Sequence, residues 1–318
     1  MTQRSLIFAG TPDFAVPAMT AVADWCEASQ FDLHVMTQPD RRAGRKRQLL
    51  ASPVKQAAIA RGLLVSQPER LSGRAVIEEL KKWQPQLMVV IAYGLLLPAA
   101  VLKIPNYGCV NAHLSLLPRW RGAAPAQRAI AEGDQFSGVS LMKMDVGMDS
   151  GPIYLQRPLR IGAQETAGEL YQRLGELSAS MLAENLDALL TGALQARPQL
   201  EQYATYAPKL SKQEATIDWQ QPAAVIARQV RAYIPWPVAQ TQSGGAGEQT
   251  TLRLWEACAL SGSVKQSPGQ VITQGSQGIE VATGAGRLLI KKLQRPGGQV
   301  LPAAEFINAH SLEKTIFS

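Results

Sequence analysis

The run Gln86-Leu-Met-Val-Val-Ile-Ala-Tyr93 constrains the fold more than any other segment of the chain. It is too long and too uniformly apolar for a surface strand, whose side chains would alternate between core and water, so it predicts a central strand covered on both faces. Its neighbours agree. Short apolar runs at 5–10, 31–37, 63–66 and 108–114 alternate with helical patterns at 11–29, from Ser52 onward and at 76–83. Ser52 followed by Pro53 is an N-cap and first-turn proline. A hairpin pairing 138–144 with 153–159 follows. This alternation predicts an open α/β sheet.

Further along, Leu170, Leu174, Leu177, Met181, Leu186 and Leu189 give residues 166–190 one long apolar stripe. Thr166 and Glu169 have capping-box spacing at its start. Residues 193–208 are polar, contain two prolines and lack a period, so they read as a linker. The last third, after a helical lead-in at 223–233, has strand-like runs at 251–255, 269–272, 278–282 and 287–293 separated by glycines, which predicts a small β-barrel. The expected division is therefore an α/β domain at 1–192, a linker at 193–208 and a barrel domain at 209–318.

Composition narrows the class. With 318 residues, 46% hydrophobic and 18% charged, the chain has material for two cores. No apolar run approaches the ~20 residues of a membrane span. The first residues lead straight into a strand without a signal-peptide pattern. A cytoplasmic protein with no membrane partner is the expectation. Cys26, Cys109 and Cys258 are odd in number, lack metal spacing and sit among apolar neighbours, so they read as reduced core thiols, with no metal expected. The net charge of +7 permits a polyanionic partner. Five of the seven residues from 41 to 47 are basic, namely Arg41, Arg42, Arg45, Lys46 and Arg47. An isolated basic run is usually a solvated loop, but this one follows a buried-looking strand, at the ligand edge of a parallel sheet.

The chemistry concentrates in Cys109-Val-Asn-Ala-His-Leu-Ser-Leu-Leu-Pro-Arg-Trp-Arg-Gly-Ala-Ala-Pro125. Strand residues two apart face the same way, so Asn111 and His113 project together. A carboxamide beside an imidazole suits acyl transfer, where an oxyanion must be held and an amine proton moved. A lone histidine on an apolar strand is usually a satisfied core residue, and His34 and His310 are read so. The second constellation is Met144-Asp-Val-Gly-Met-Asp-Ser-Gly-Pro152, whose glycines flank Asp149 in a tight loop. Facing His113, that carboxylate could orient the imidazole or relay its proton. Calcium-loop spacing is missing. Gly10-Thr-Pro-Asp13 lacks the later glycines of a dinucleotide fingerprint, and Gly44-Arg-Lys-Arg-Gln lacks Walker spacing. Arg231-Ala-Tyr-Ile-Pro-Trp-Pro237 could stack a base, but a packing corner is the expected role.

Phe8-Ala-Gly-Thr-Pro-Asp-Phe14, Thr37-Gln-Pro-Asp40, Val90-Ile-Ala-Tyr-Gly-Leu95, the Asn111 and Asp149 segments, Lys209-Leu-Ser-Lys212 and Pro235-Trp-Pro237 together resemble the folate-dependent formyltransferase family, specifically its bacterial tRNA-directed members. The resemblance covers nearly the whole chain. It implies a Rossmann-like N-terminal domain, an oligonucleotide-binding-type C-terminal barrel, 10-formyltetrahydrofolate as formyl donor and the α-amine of initiator Met-tRNA as acceptor. It implies catalysis by Asn111, His113 and Asp149, and folate contacts from Ser115, Leu116, Leu117 and Pro118, with Tyr93, Gly94 and Leu95 lining the pterin pocket. It places Arg41, Arg42, Arg45, Lys46 and Arg47 against the acceptor end of the tRNA. Leu114, where glycine is common, and Arg42, where proline is common, depart from the pattern. Nothing suggests an obligate interface, so a monomer is expected. A small-amine formyltransferase and a formyl-folate hydrolase would share the three catalytic groups. A non-catalytic RNA-binding protein would leave them without a purpose.

Overall fold

A computed structural model describes residues 4–43, 48–244 and 250–318, which divide into two compact units. The first comprises residues up to 125 together with 136–160 and 171–207. In chain order its elements begin with β1 (Ser5–Gly10), α1 (Val16–Ser29), β2 (Asp32–Met36), β3 (Arg41–Ala43), β4 (Gln48–Leu50), α2 (Pro53–Ala60), β5 (Leu64–Ser66), α3 (Arg74–Lys82), β6 (Pro85–Ile91) and α4 (Ala99–Leu102). Then come β7 (Cys109–His113), β8 (Arg121–Gly122), α5 (Pro125–Glu132), β9 (Phe136–Lys143), β10 (Ile153–Arg160), α6 (Ala167–Leu190) and β11 (Tyr206–Ala207). Helix α5, apart from its first residue, and the first turn of α6 group with the second unit.

Seven strands form one sheet in the order β10-β9-β7-β6-β1-β2-β5. From β5 to β7 neighbouring strands are parallel; β9 and β10 run antiparallel. Every residue of β1 is buried, as are six of the seven in β6, which meets the expectation of a doubly covered centre. The chain moves one way from β1 through β2 to β5, then returns to build outward from β6. The strand order thus reverses between β1 and β6, and ligands bind beyond the carboxyl ends of strands at such a point. Tyr93 lies just past the end of β6, and His113 ends β7. Local signals act as expected. Ser52 Oγ accepts from the Lys55 N–H with Pro53 in the first turn of α2. Glu169 Oε2 accepts from the Thr166 N–H at 2.8 Å, while the Glu169 N–H returns to Thr166 Oγ1.

Two expectations need correction. Within the basic segment after β2, Arg41 and Arg42 lie in a strand rather than a loop, Arg41 paired to Leu50 and Arg42 to Leu49 on β4. Nor do residues 193–207 form a free linker, because they are hydrogen-bonded into the first unit. Arg197 and Ile153 exchange both backbone hydrogen bonds, and β11 pairs in parallel with β8. Prolines and missing periodicity marked irregular backbone, and irregular backbone here is bound backbone.

The second unit holds α5, the start of α6 and residues 208–318. Its further elements are α7 (Ala223–Ala232), β12 (Gln240–Ser243), β13 (Thr250–Leu260), β14 (Val271–Gly275), β15 (Gly278–Ala282), β16 (Arg287–Gln294), β17 (Val300–Pro302) and α8 (Ala303–Ala309). The sheet runs β12-β13-β16-β15-β14, with β17 added to β16, all antiparallel. Its two ends are bridged by the last residues: Gln242 and Ser318 exchange backbone bonds, and the Phe317 N–H donates to the Gly269 carbonyl. This curls the sheet into the expected barrel form. Trp219 stacks on Phe317 at 5.5 Å inside it and donates Nε1–H to Thr241 Oγ1.

Candidate active site

Asn111 and His113 stand on one face of β7, held between β6 and β9, with Val90 opposite Asn111 and Ser140 opposite His113. Both are nearly buried, at 9% and 6% exposure. The loop from β9 to β10 brings Asp149 to them. Its Oδ1 accepts from Asn111 Nδ2 at 3.3 Å, and its Oδ2 accepts from the Gly122 N–H at 2.8 Å and faces His113 Nδ1 at 3.6 Å. Residues separated by 38 positions thus meet around one carboxylate.

The tautomer of His113 follows from its other nitrogen. Nε2 lies 2.9 Å from the Trp120 carbonyl, which can only accept, so Nε2 carries hydrogen. In the neutral ring Nδ1 is therefore the free base. Once protonated, it points a charged N–H at Asp149. Asn111 is likewise oriented, since a carboxylate can only accept; one Nδ2 hydrogen is committed to Asp149 and the second remains available.

Two glycines make this geometry possible. Gly122 has φ +115°, and a side chain there would come within 2.8 Å of the Ala207 carbonyl. A Cβ at Gly151 would run into the Lys143 carbonyl. Asp149 itself has φ +51°, a left-handed conformation that costs an L-residue about 1–2 kcal/mol. Asp145 Oδ1 stabilises the loop by accepting from the Gly147 N–H and the Ser150 hydroxyl.

The three side chains line a cavity of about 380 Å³ that also reaches Tyr93, Gly94 and Leu95. Phe14 and Tyr171, stacked at 4.6 Å, form part of its wall, a pair the sequence did not single out. The Tyr93 hydroxyl is buried without a hydrogen-bond partner, and burial pushes its titration upward. Ser115, Leu116, Leu117 and Pro118 are not among the lining residues. Ser115 Oγ donates to the Arg119 carbonyl, the Leu117 N–H donates to Ser140 Oγ, and Gln156 Nε2 donates to the Leu117 carbonyl. These bonds tie the segment to β9 and β10, and Leu117 and Pro118 border a different cavity of about 520 Å³.

Among the basic candidates, Arg41 and Arg42 are exposed on β3, with Arg41 Nη2 donating to Gln38 Oε1 at 2.7 Å. Arg45, Lys46 and Arg47 lie outside the described residues. His34 is half-buried rather than a core residue, stacked on Trp83 at 4.3 Å, and burial lowers its pKa. His310 is instead exposed beside Arg295, not a core histidine. Cys26 and Cys109 are buried thiols pushed up to about 12, by burial in both and by Asp32 as well for Cys26; Cys258 is only half-buried. Pro235, Trp236 and Pro237 line a cavity of about 310 Å³ within the second unit. No helix is long and apolar enough to cross a membrane among the described residues.

A three-group centre that can hold an oxyanion and move a proton stands at the reversal point of a mixed α/β sheet, an arrangement suited to group transfer at an acyl carbon. The chain belongs to the formyl transferase family, matching the formyl transferase model over residues 4–186 and the formyl transferase C-terminal domain over 209–311. Relatives named methionyl-tRNA formyltransferase, from Stenotrophomonas maltophilia (strain K279a) and Xanthomonas campestris pv. campestris (strain 8004), are each 50% identical over 305 residues. That is 96% of this chain and 97% of each relative. Among solved structures, HypX from Aquifex aeolicus in complex with tetrahydrofolic acid superposes with a TM-score of 0.62 at 17% identity, over 96% of this chain but 47% of that longer one. WlaRD, a sugar 3N-formyl transferase solved with dTDP and 5-N-formyl-THF, gives 0.65 at 16% identity over 94% of this chain and all of its own. These two likenesses are of fold.

Proposed function

We propose that the chain transfers a formyl group from 10-formyltetrahydrofolate to the α-amine of methionine on initiator tRNA, supplying formyl-methionyl-tRNA for translation initiation in the cytoplasm. One observation carries the reading: an amide, an imidazole and a carboxylate converge on one cavity in a chain half identical to enzymes named for this reaction. A folate donor suits that cavity, whose wall combines aliphatic side chains, the Phe14–Tyr171 stack and the unpartnered Tyr93 hydroxyl.

The new bond joins the amine nitrogen to the formyl carbon, and the bond from that carbon to N10 of the donor breaks. Asn111 uses its second N–H for the oxygen that gains charge as the amine adds. Such a donor supplies about 3–4 kcal/mol of barrier lowering. His113 Nδ1 takes the amine proton and returns one to the departing nitrogen, so protons balance over the turnover. Asp149 stabilises the imidazolium between those steps and fixes the Asn111 amide. Arg41 and Arg42, with Arg45, Lys46 and Arg47, form the basic surface for the tRNA acceptor end, and residues 209–318 form the RNA-binding barrel of a monomeric enzyme.

Incubation with 10-formyltetrahydrofolate and initiator Met-tRNA, followed by hydrolysis of the ester and chromatography, should yield formyl-methionine stoichiometric with donor consumed. Release of free formate at the same rate with or without tRNA would overturn the assignment in favour of hydrolysis. Formylation of a small amine but not of Met-tRNA would overturn the acceptor.

A further inference from the structure

The loop that carries the Asp149 carboxylate is held at its backbone by a residue of the supposed linker. Gln199 Nε2 donates to the Asp149 carbonyl and to the Gly151 carbonyl, each at 2.8 Å. Gln199 Oε1 accepts from Arg121 Nε at 3.1 Å and from Nη2 at 3.0 Å. The amide can sit only one way round, because carbonyls accept and a guanidinium donates. Its full donor capacity is spent on the two backbone positions that shape the loop.

Arg121 is itself 1% exposed, and its Nη1 and Nη2 each reach a Glu201 oxygen at 2.8 Å. The residue after it, Gly122, gives its N–H to Asp149 Oδ2. The Arg121–Gln199 pair therefore holds Asp149 twice, through the carboxylate by way of Gly122 and through the backbone by way of Gln199. Backbone anchors fix Gln199 on both sides: the Arg197–Ile153 exchange before it, and the Arg121 N–H donating to the Thr205 carbonyl after it.

We propose that Gln199 is a positioning residue for formyl transfer, setting the Asp149 carboxylate against His113 by locking the left-handed turn at Asp149. The proposal rests on the catalytic reading of Asp149. The left-handed conformation at φ +51° is strained for an L-residue, and rotation there would swing the carboxylate away from the imidazole. It would leave the cavity wall at Tyr93 to Leu95 in place, so donor binding should be spared.

Gln199→Glu is the discriminating variant. It keeps an acceptor for Arg121 but turns oxygen toward the two loop carbonyls. Gln199→Met, uncharged and of similar length, is the second variant, and both are combined with Asp149→Asn in the full chain. Displacing a reacting group by about 1 Å can cost on the order of 100-fold. Each single variant should lower kcat at least about tenfold, with the donor KM changed less than about threefold. Neither should slow the enzyme further once Asp149 is Asn, since a residue acting through another has nothing left to act on. Wild-type kcat in both variants, or losses that multiply fully with Asp149→Asn, would overturn the proposal. Failure of Asp149→Asn alone to slow turnover would remove the catalytic reading beneath it. An impaired Asp149→Asn beside unimpaired Gln199 variants removes only the Gln199 assignment.

Discussion

Asp149→Asn tests the site most directly, because the replacement has the same shape and different hydrogen-bond capacity. Asp149 accepts at both oxygens, from Asn111 Nδ2 on one and from the Gly122 N–H on the other. An amide offers one oxygen and one NH2, so it must oppose donor to donor at one of those contacts, or force Asn111 to flip and withdraw its own N–H from the reacting oxygen. The charge is lost as well. An imidazolium and a carboxylate 3.6 Å apart attract by about 4 kcal/mol at the effective dielectric of partly buried sites. The Asp149 side chain is 18% exposed, so water takes part of that, leaving roughly 2–3 kcal/mol specific to the protonated state of His113. Lost only where the ring is charged, this lowers kcat by about 30- to 150-fold. Steady-state rates of formyl-methionyl-tRNA formation, with the donor varied at saturating tRNA, are the assay. The donor KM should move less than about threefold. A kcat within threefold of wild type would refute the placement of Asp149 against a charged imidazole, and a loss confined to the donor KM would make it a binding residue instead.

Asn111→Ala should lower kcat by about 100- to 1,000-fold at nearly constant donor affinity, measured by steady-state kinetics and donor titration. Gly151→Ala drives a methyl group into the Lys143 carbonyl, so the loop must shift; turnover should fall by about tenfold or more and the melting temperature by a few degrees, which paired rate and melting measurements would show. Phe317→Ala removes the partner of Trp219 and loosens the tail that joins β12 to β14. It should cost about 3 kcal/mol or more of stability in urea unfolding. The Arg157 guanidinium and the Ser180 hydroxyl hold Glu184 down to about 2, below the ordinary 4.5. Its stabilising effect is full above the unfolded value and lost as pH falls from about 4.5 toward about 2. The melting-temperature difference between wild type and Glu184→Gln should therefore shrink across that window.

What could be read in the chain, and what could not, divides along a physical line. β1 and β6 announce themselves because a doubly covered strand has no polar face, and α2 and α6 because capping residues act within four positions. Asn111 and His113 are legible for the same reason, as period-two neighbours on one strand. Asp149 stands out because glycines bracket a left-handed turn. Every one of these signals is local. Ser115 to Pro118 are legible as a motif, yet their hydrogen bonds to Ser140 and Gln156 on β9 and β10 are long-range contacts that no spacing within the motif reveals. The segment 193–207 fails most completely. Its partners are backbone carbonyls and a buried guanidinium between 48 and 80 positions away, reached by side-chain amide and carboxylate groups that impose no period and need no apolar neighbour. Polar composition there describes the chemistry of the contacts rather than exposure to water. A stretch that resembles a tether is, by its hydrogen bonds, part of the frame that carries the carboxylate.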